Sequence, residues 1–375
     1  MAMKQWVKPA IPFGFVALAC LIVLFGSYLV QETKWQEEHP KYEEQVLAAQ
    51  IMEKSFAVLR DVRDEEGLPI DGGLDPNRTG LIGEEFTPIT TSIGNLEAKR
   101  TSTSPAFAAL LVRLFYEAGL EPGSTVAIGA SGSFPGLILA TLSACEAMDL
   151  RPLLFYSVGA SMYGANVPEF TFVKMLQVLR EREVLPYHIL AVSLGGNQDR
   201  GEDMYFPESQ DLMGEIATST PAPLIFAPNN AESIKERLEL YLNYNNQYLP
   251  DLFVNIGGAS PNMGNTNASL QIPNGLVKTI RLTSDSPERG LMFEYLELGV
   301  PIIHLLNIRD LALKSGIAID PIPFPEIGSE EVYYVTKHNL WLIWGTVLAA
   351  LGVLVLGKFV IYQKENFLDK RKHSQ

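Results

Sequence analysis

The chain is poor in cysteine, holding only Cys20 and Cys145 among its 375 residues. Cys20 lies in an apolar run near the start and Cys145 in an apolar helical stretch. The long middle segment therefore carries one thiol and closes no internal disulfide. It must rely on its own hydrophobic core, for which about 300 residues suffice as one large or two small domains. No cysteine–histidine pair has zinc spacing, and the five histidines are scattered. There is no Gly-Lys-Ser/Thr phosphate loop and no G-x-G-x-x-G fingerprint, which excludes the two commonest nucleotide cradles. Basic residues are outnumbered, 29 Lys and Arg against 43 Asp and Glu, for a formal net charge of −14. Such a chain does not bind nucleic acid through counterion release. It repels a polyanion at long range, except at a local basic pocket. Nothing in the composition asks for a cofactor or a metal ion.

Charge is missing altogether from two stretches, 11–30 and 340–357. Each approaches the roughly 20 residues that a helix needs to cross a hydrocarbon core about 30 Å thick. Lys4 and Lys8 precede the first, and Lys358, Lys364, Lys370, Arg371 and Lys372 follow the second. The inner flanks carry Glu32, Glu37, Glu38, Glu330 and Glu331 against Lys34 and Lys337. Basic flanks stay inside, so both termini are expected in the cytoplasm and the middle outside the cell membrane. The first run is longer than a signal-peptide core and offers no convincing A-x-A site, so it reads as a retained anchor. Trp341, Trp344 and Tyr362 suit a membrane interface at the second run. The expected plan is a basic N-terminus (1–10), a span (11–30), an amphipathic helix with an ordered loop region (31–100), an α/β domain (101–335), a second span (338–362) and a basic tail (363–375).

Inside that bracket, Tyr42, Val46, Ala49, Phe56, Leu59 and Val62 recur at helical spacing, and 67–94 is rich in turn formers. Beyond it, short apolar runs alternate with helical patterns. Runs at 125–128, 152–156, 188–192, 224–227, 252–256 and 300–304 each end in small or polar residues. Helical patterns fall at 104–119, 134–149, 169–183, 207–217, 231–243 and 287–298. Strand, turn and helix in repetition predict an α/β fold with a mostly parallel, Rossmann-like sheet and flanking helices.

Ligands of open parallel sheets bind beyond the carboxyl ends of the strands, and the polar residues gather there. The richest loop, Gly129-Ala130-Ser131-Gly132-Ser133-Phe134-Pro135-Gly136, follows a strand and opens a helix. It has three readings: Ser131 or Ser133 caps the helix, the helix start binds an anion, or Ser131 is a nucleophile in a loop close to G-x-S-x-G. The third requires a base, for which His304 at a strand end is the best candidate. Gly159 and Ser161, Gly195, Gly196, Asp199 and Arg200, and Gly257 and Gly258 follow the neighbouring strands as further ligand-binding candidates. Asp199, Glu202, Asp203 and His304 are an acid set with no spacing specific to a cation. Lys99 and Arg100 form a rare basic pair among the hydroxyls of 90–105. They either grip a ligand carboxylate or pair with neighbouring acids.

Taken in order, these loops resemble the membrane-anchored poly-gamma-glutamate system protein family of bacterial polyglutamate loci. The resemblance runs through Asp75-Pro76-Asn77-Arg78-Thr79-Gly80-Leu81-Ile82-Gly83, the segment 90–105 and Gly129–Gly136. It continues in Ser157-Val158-Gly159-Ala160-Ser161, Gly164-Ala165-Asn166, Ser193-Leu194-Gly195-Gly196, Asp199-Arg200-Gly201, Asn255-Ile256-Gly257-Gly258 and the run from Gly299 to Asn307. It implies an accessory role in the synthesis or export of a capsule-like polymer, beside the membrane subunits of a polyglutamate synthase. The partners would be those subunits, the bilayer and the anionic polymer. It carries over no catalytic residue. An outward domain without a nucleotide loop is not the ATP-dependent ligase. Two functions stay open: a noncatalytic factor that binds polymer or synthase, and a γ-glutamyl hydrolase or transferase using Ser131 with His304.

Overall fold

The structure, a computed structural model, describes residues 11–264, 269, 271–279 and 289–372. Lys4 and Lys8, on which half of the expected charge bias rests, lie outside the described residues. The chain divides into two compact units, Met1–Glu37 with Tyr334–Gln375, and Glu38–Tyr333.

The first unit is built on helices α1 (Phe13–Glu32) and α12 (Leu340–Lys372). Strand β1 (Trp35–Glu38) pairs with β11 (Tyr334–Lys337). Small residues let the helices approach: a methyl group added at Gly26 would run into the side chain of Thr346, and one at Gly357 into Phe15. The other faces are apolar and open, with Leu24 on α1 and Trp341 and Leu348 on α12 more than half exposed. Both helices are long and apolar enough to cross a membrane.

The second unit is an α/β layer structure. In chain order its strands are β2 (Thr90–Ser92), β3 (Thr125–Ser131), β4 (Arg151–Ser157), β5 (Ala160–Ser161), β6 (Ile189–Ser193), β7 (Leu224–Ile225), β8 (Leu252–Ile256), β9 (Gly275–Val277) and β10 (Ile302–Leu305). Seven of them form one sheet in the order β7-β6-β4-β3-β8-β10-β9, parallel except for β9, while β2 and β5 pair separately. The chain moves outward from β3 through β4, β6 and β7, then returns to the other side of β3 with β8 and β10. That reversal opens a crevice beyond the carboxyl ends of β3 and β8.

The helices are α2 (Tyr42–Glu65), α3 (Leu96–Ser102), α4 (Ala106–Ala118), α5 (Pro135–Ala147), α6 (Phe172–Glu181), α7 (Ser209–Thr218), α8 (Asn230–Tyr244), α9 (Ser260–Met263), α10 (Leu291–Glu297) and α11 (Ile308–Ser315). One layer joins α2, α4, α5 and α6, and in a second group α9 packs on both α8 and α10. Central strands covered on both faces carry mostly apolar residues, and in β3 and β8 every residue, the polar Thr125, Ser131 and Asn255 included, is buried. Ala127, Phe155, Phe253 and Ile302 meet Ile234 and Tyr241 of α8 and Phe293 of α10 in the core. Phe155 stacks on Tyr241 at 3.7 Å between ring centroids, and the Tyr241 hydroxyl donates to the Ile128 carbonyl.

The expected parallel α/β sheet is present, with four differences. β3 continues to Ser131, so Gly129, Ala130 and Ser131 are strand and not loop. The edge strand β9, the β2–β5 pair and the short helices α3, α9 and α11 were not expected, each being too short to show a period. The helical pattern expected at 287–298 begins in undescribed residues and appears as α10. Finally, α2 packs on α4 and α5 as part of the same unit as the sheet, where the sequence suggested a break near residue 100.

Candidate functional site

Register aligns the last residues of three adjacent strands, Ser131 of β3, Ser157 of β4 and Ser193 of β6. Neighbours in parallel register share a face, so the sheet ends in a row of hydroxyls. Above Ser131 and Ser157 opens a cavity of about 510 Å³. From the side strands and α3 come Thr91, Gly94, Lys99, Gly159 and Ser161; from the strand ends and following loops come Ser133, Gly195, Gly196, Asp199 and Gly258. Gly159 is needed for the close approach of β2, since an added Cβ would lie 2.5 Å from Thr91 Cγ2. Gly195 sits at φ +77°, a conformation that other residues adopt only with strain.

Among the described residues Lys99 is the only basic one on that cavity wall, and it is 2 % exposed. Helix α3 places it, capped by Asn95, whose side chain accepts from the Ala98 N–H. The hydroxyls around it close α3 locally, with Thr101 donating to the Glu97 carbonyl and Ser102 to that of Lys99. Lys99 Nζ hydrogen-bonds Ser161 Oγ at 2.7 Å, donates to the Ser133 carbonyl and lies 3.7 Å from the centre of the Phe134 ring. Among the described residues no carboxylate pairs with it. Burial without a counter-charge pushes its pKa down from 10.5 to about 7.

Asp199 lies on the same wall with the opposite arrangement. Its carboxylate accepts from Arg237 Nη2 at 2.7 Å, from Ser193 Oγ at 2.7 Å and from Ser233 Oγ at 3.0 Å. Both ions are 2 % exposed at their side chains. Arg237 also donates to Ser193 Oγ, and Ser157 Oγ bonds both Ser193 and Asp199. The group is satisfied from every side, as a buried ion pair requires.

The remaining candidates are placed elsewhere. Arg100, adjacent to Lys99 in sequence, forms a fork on Asp320 and does not reach the cavity wall. Of the two readings of the basic pair, Arg100 takes the salt bridge, and Lys99 is left without an acid. Arg200 pairs with Glu202 and donates to the Ala227 carbonyl. Gly129, Gly132 and Gly257 are not among the residues that line the cavity. Gly129 faces the Asn262 amide, whose nitrogen and oxygen are buried with no partner among the described residues. Neither Ser131 nor Ser133 caps α5, whose N-cap is Phe134 without a side-chain bond; Ser133 Oγ accepts instead from the Ser161 N–H at 3.1 Å.

Ser131 and His304 are not brought together. His304 is on β10, and β8 separates it from β3, which puts the two strands about 9–10 Å apart at the usual spacing. In register His304 is level with Gly129, two residues short of Ser131. It is 2 % exposed, and its Nδ1 bonds the Asn255 amide at 2.9 Å. Burial pushes its pKa down to about 4, so it stays neutral and structural at neutral pH. The alternative acid set is also dispersed, and among the described residues no group of three His, Cys, Asp or Glu could hold a metal ion.

Arg237 was missed in sequence because three glutamates near it on α8, Glu232, Glu236 and Glu239, make it look like part of a solvated face. Its spacing from Ile234 and Tyr241 was the available sign, since three and four residues along a helix share a face. Ser157 and Ser193 stood inside quoted motifs but gave no signal that they adjoin across β4 and β6.

Compared with protein-family models, with curated proteins and with solved structures, the chain matches none.

Proposed function

We propose that this chain is a two-pass membrane protein accessory to the synthesis or export of a γ-linked glutamate polymer. In this reading both termini are cytoplasmic, α1 and α12 cross the bilayer, and a Rossmann-like α/β domain works outside the cell. There it binds carboxylates of the emerging polymer beside the membrane subunits of the synthase. The observation that carries the reading is Lys99. A cation without a counter-ion stands on a cavity of hydroxyls and glycines at the chain-reversal point of the sheet. A ligand carboxylate would supply the missing partner, and bonds to a charged group are worth about 1.5–3 kcal/mol. The excess of acid elsewhere, 43 carboxylates against 29 bases, opposes nonspecific adhesion of the same polymer. The ordered loops resembling the polyglutamate family and the basic flanks of the apolar runs support the setting.

The test is calorimetric titration of the full chain, in detergent micelles, with γ-linked glutamate oligomers. Binding is expected, weakened by salt and weakened again as pH rises past 7, where Lys99 loses its charge. Lys99→Met should reduce affinity by about 10- to 100-fold. Absence of binding by the folded wild-type chain at millimolar oligomer would overturn the reading. Binding by Lys99 is favoured over hydrolysis by a Ser131–His304 pair because those two residues lie on strands that β8 holds apart.

A further inference from the structure

We propose that Ser161 and Lys99 form a nucleophile–base pair that cleaves or transfers the acyl group of an amide or ester bound in the cavity. The proposal extends the polymer-binding reading by assigning chemistry to the same crevice, with a γ-amide link as the substrate class.

Three features of the site carry it. First, the distance is right: Lys99 Nζ and Ser161 Oγ are 2.7 Å apart, within the reach a base needs. Second, the lysine is held for the task. A neutral amine has two N–H bonds and one lone pair. The Ser133 carbonyl and the face of Phe134 occupy the donor side, leaving the lone pair to accept the Ser161 proton. Gly94 lies beside its stem; an added Cβ there would run into the Met162 carbonyl oxygen and lie 3.3 Å from Lys99 Cε. Third, the serine is fixed yet faces the cavity. Its N–H donates to Ser133 Oγ, its carbonyl accepts from the Gly164 N–H, and β2 pairs with it at Ser92.

Ser131 and Ser157, the strand-end serines of the wall, lack such a base. Among the described residues no titratable group bonds Ser131 Oγ. Ser157 and Ser193 bond Asp199, whose charge is committed to Arg237.

The reaction balances with water as the only co-reactant. Ser161 Oγ bonds the acyl carbon as its proton passes to Nζ. The ammonium returns that proton to the departing amine or alcohol as the C–N or C–O bond breaks. Water then bonds the acyl carbon and gives a proton to Nζ, the Oγ–C bond breaks, and Oγ recovers the proton.

The experiment uses a fluorophosphonate, which phosphonylates activated serine hydroxyls with loss of fluoride and needs no knowledge of the substrate. The full chain in detergent micelles is treated across about pH 6–9, and modified peptides are mapped by mass spectrometry. Expected is modification at Ser161, rising with pH to a plateau once Lys99 is neutral, and absent in Ser161→Ala. Lys99→Met should slow it by about 100-fold or more. If that variant fails to melt cooperatively, the wild-type pH profile still decides, because a purely structural lysine would leave it flat. No modification of Ser161 in the folded chain, a rate indifferent to pH, or modification confined to Ser131 would overturn the pair. The assay contains no polymer, so its failure leaves the binding reading standing, and a failed titration removes the γ-amide substrate class but leaves the nucleophile–base pair standing.

Discussion

Arg237 and Lys99 are two buried cations beside one crevice, Lys99 on its wall and Arg237 bonded to the wall residue Asp199, and each is 2 % exposed. Arg237 has a carboxylate at 2.7 Å and two serine hydroxyls around it. Lys99 has a hydroxyl, a carbonyl and an aromatic face. Depth of burial is therefore the same, and the difference lies in what compensates the charge. A paired ion locks the loop after β6 onto α8, because removing either member strands the other in a medium that cannot solvate it. An uncompensated lysine costs stability wherever it is charged, and the fold gains from it only through chemistry or a ligand.

The largest expected effect breaks the compensated side. Asp199→Ala leaves Arg237 buried without a counter-charge and should cost about 3–5 kcal/mol in denaturant unfolding. No tryptophan falls in the sequence from Glu38 to Tyr333, so circular dichroism is the proper readout for the sheet unit.

The next effect reads the uncompensated side through pH. Between about 7 and 10.5 the unfolded chain holds a proton on Lys99 that the folded chain has released. Stability therefore climbs with pH in that window, by up to about 1.4 kcal/mol per unit. Below about 7 both states are protonated and the full cost persists. Lys99→Met should flatten this slope and raise stability at pH 6; an unchanged slope would mean that Lys99 is solvated. The smallest effect is at its neighbour. Arg100→Ala removes a partly exposed pair with Asp320 and should change stability by less than about 1 kcal/mol, with polymer binding unaltered.

Much of the sheet could be read in advance because buried parallel strands leave a strong mark. Runs such as 125–128 and 252–256 are mostly apolar, with Thr125 and Asn255 as their polar members, and the helices between them follow a period. Legibility failed where an element is short or a residue's role depends on distant chain. β5 has two residues and no detectable alternation, yet it presents Ser161. Gly129-Ala130-Ser131 looks like a loop by composition, but pairing with β4 and β8 draws it into the strand. His304 falls on β10, one residue before its end, and β8 separates that strand from Ser131; strand order is not written in local pattern. The crevice as a place for ligands was expected; its occupant charge was narrowed from Lys99, Arg100 and Arg200 to Lys99 alone.

By itself the sequence determined two apolar helices long enough for a bilayer and an alternation of strands and helices, since both follow from composition and period along the chain. Only the tertiary structure decided which of two adjacent cations would be free. Successive residues on a helix point about 100° apart, and that rotation turns Arg100 toward Asp320, 220 residues away, and Lys99 into the cavity beside Ser161. What lies opposite each side chain is a property of the fold, and it alone separates a salt bridge from a reactive amine.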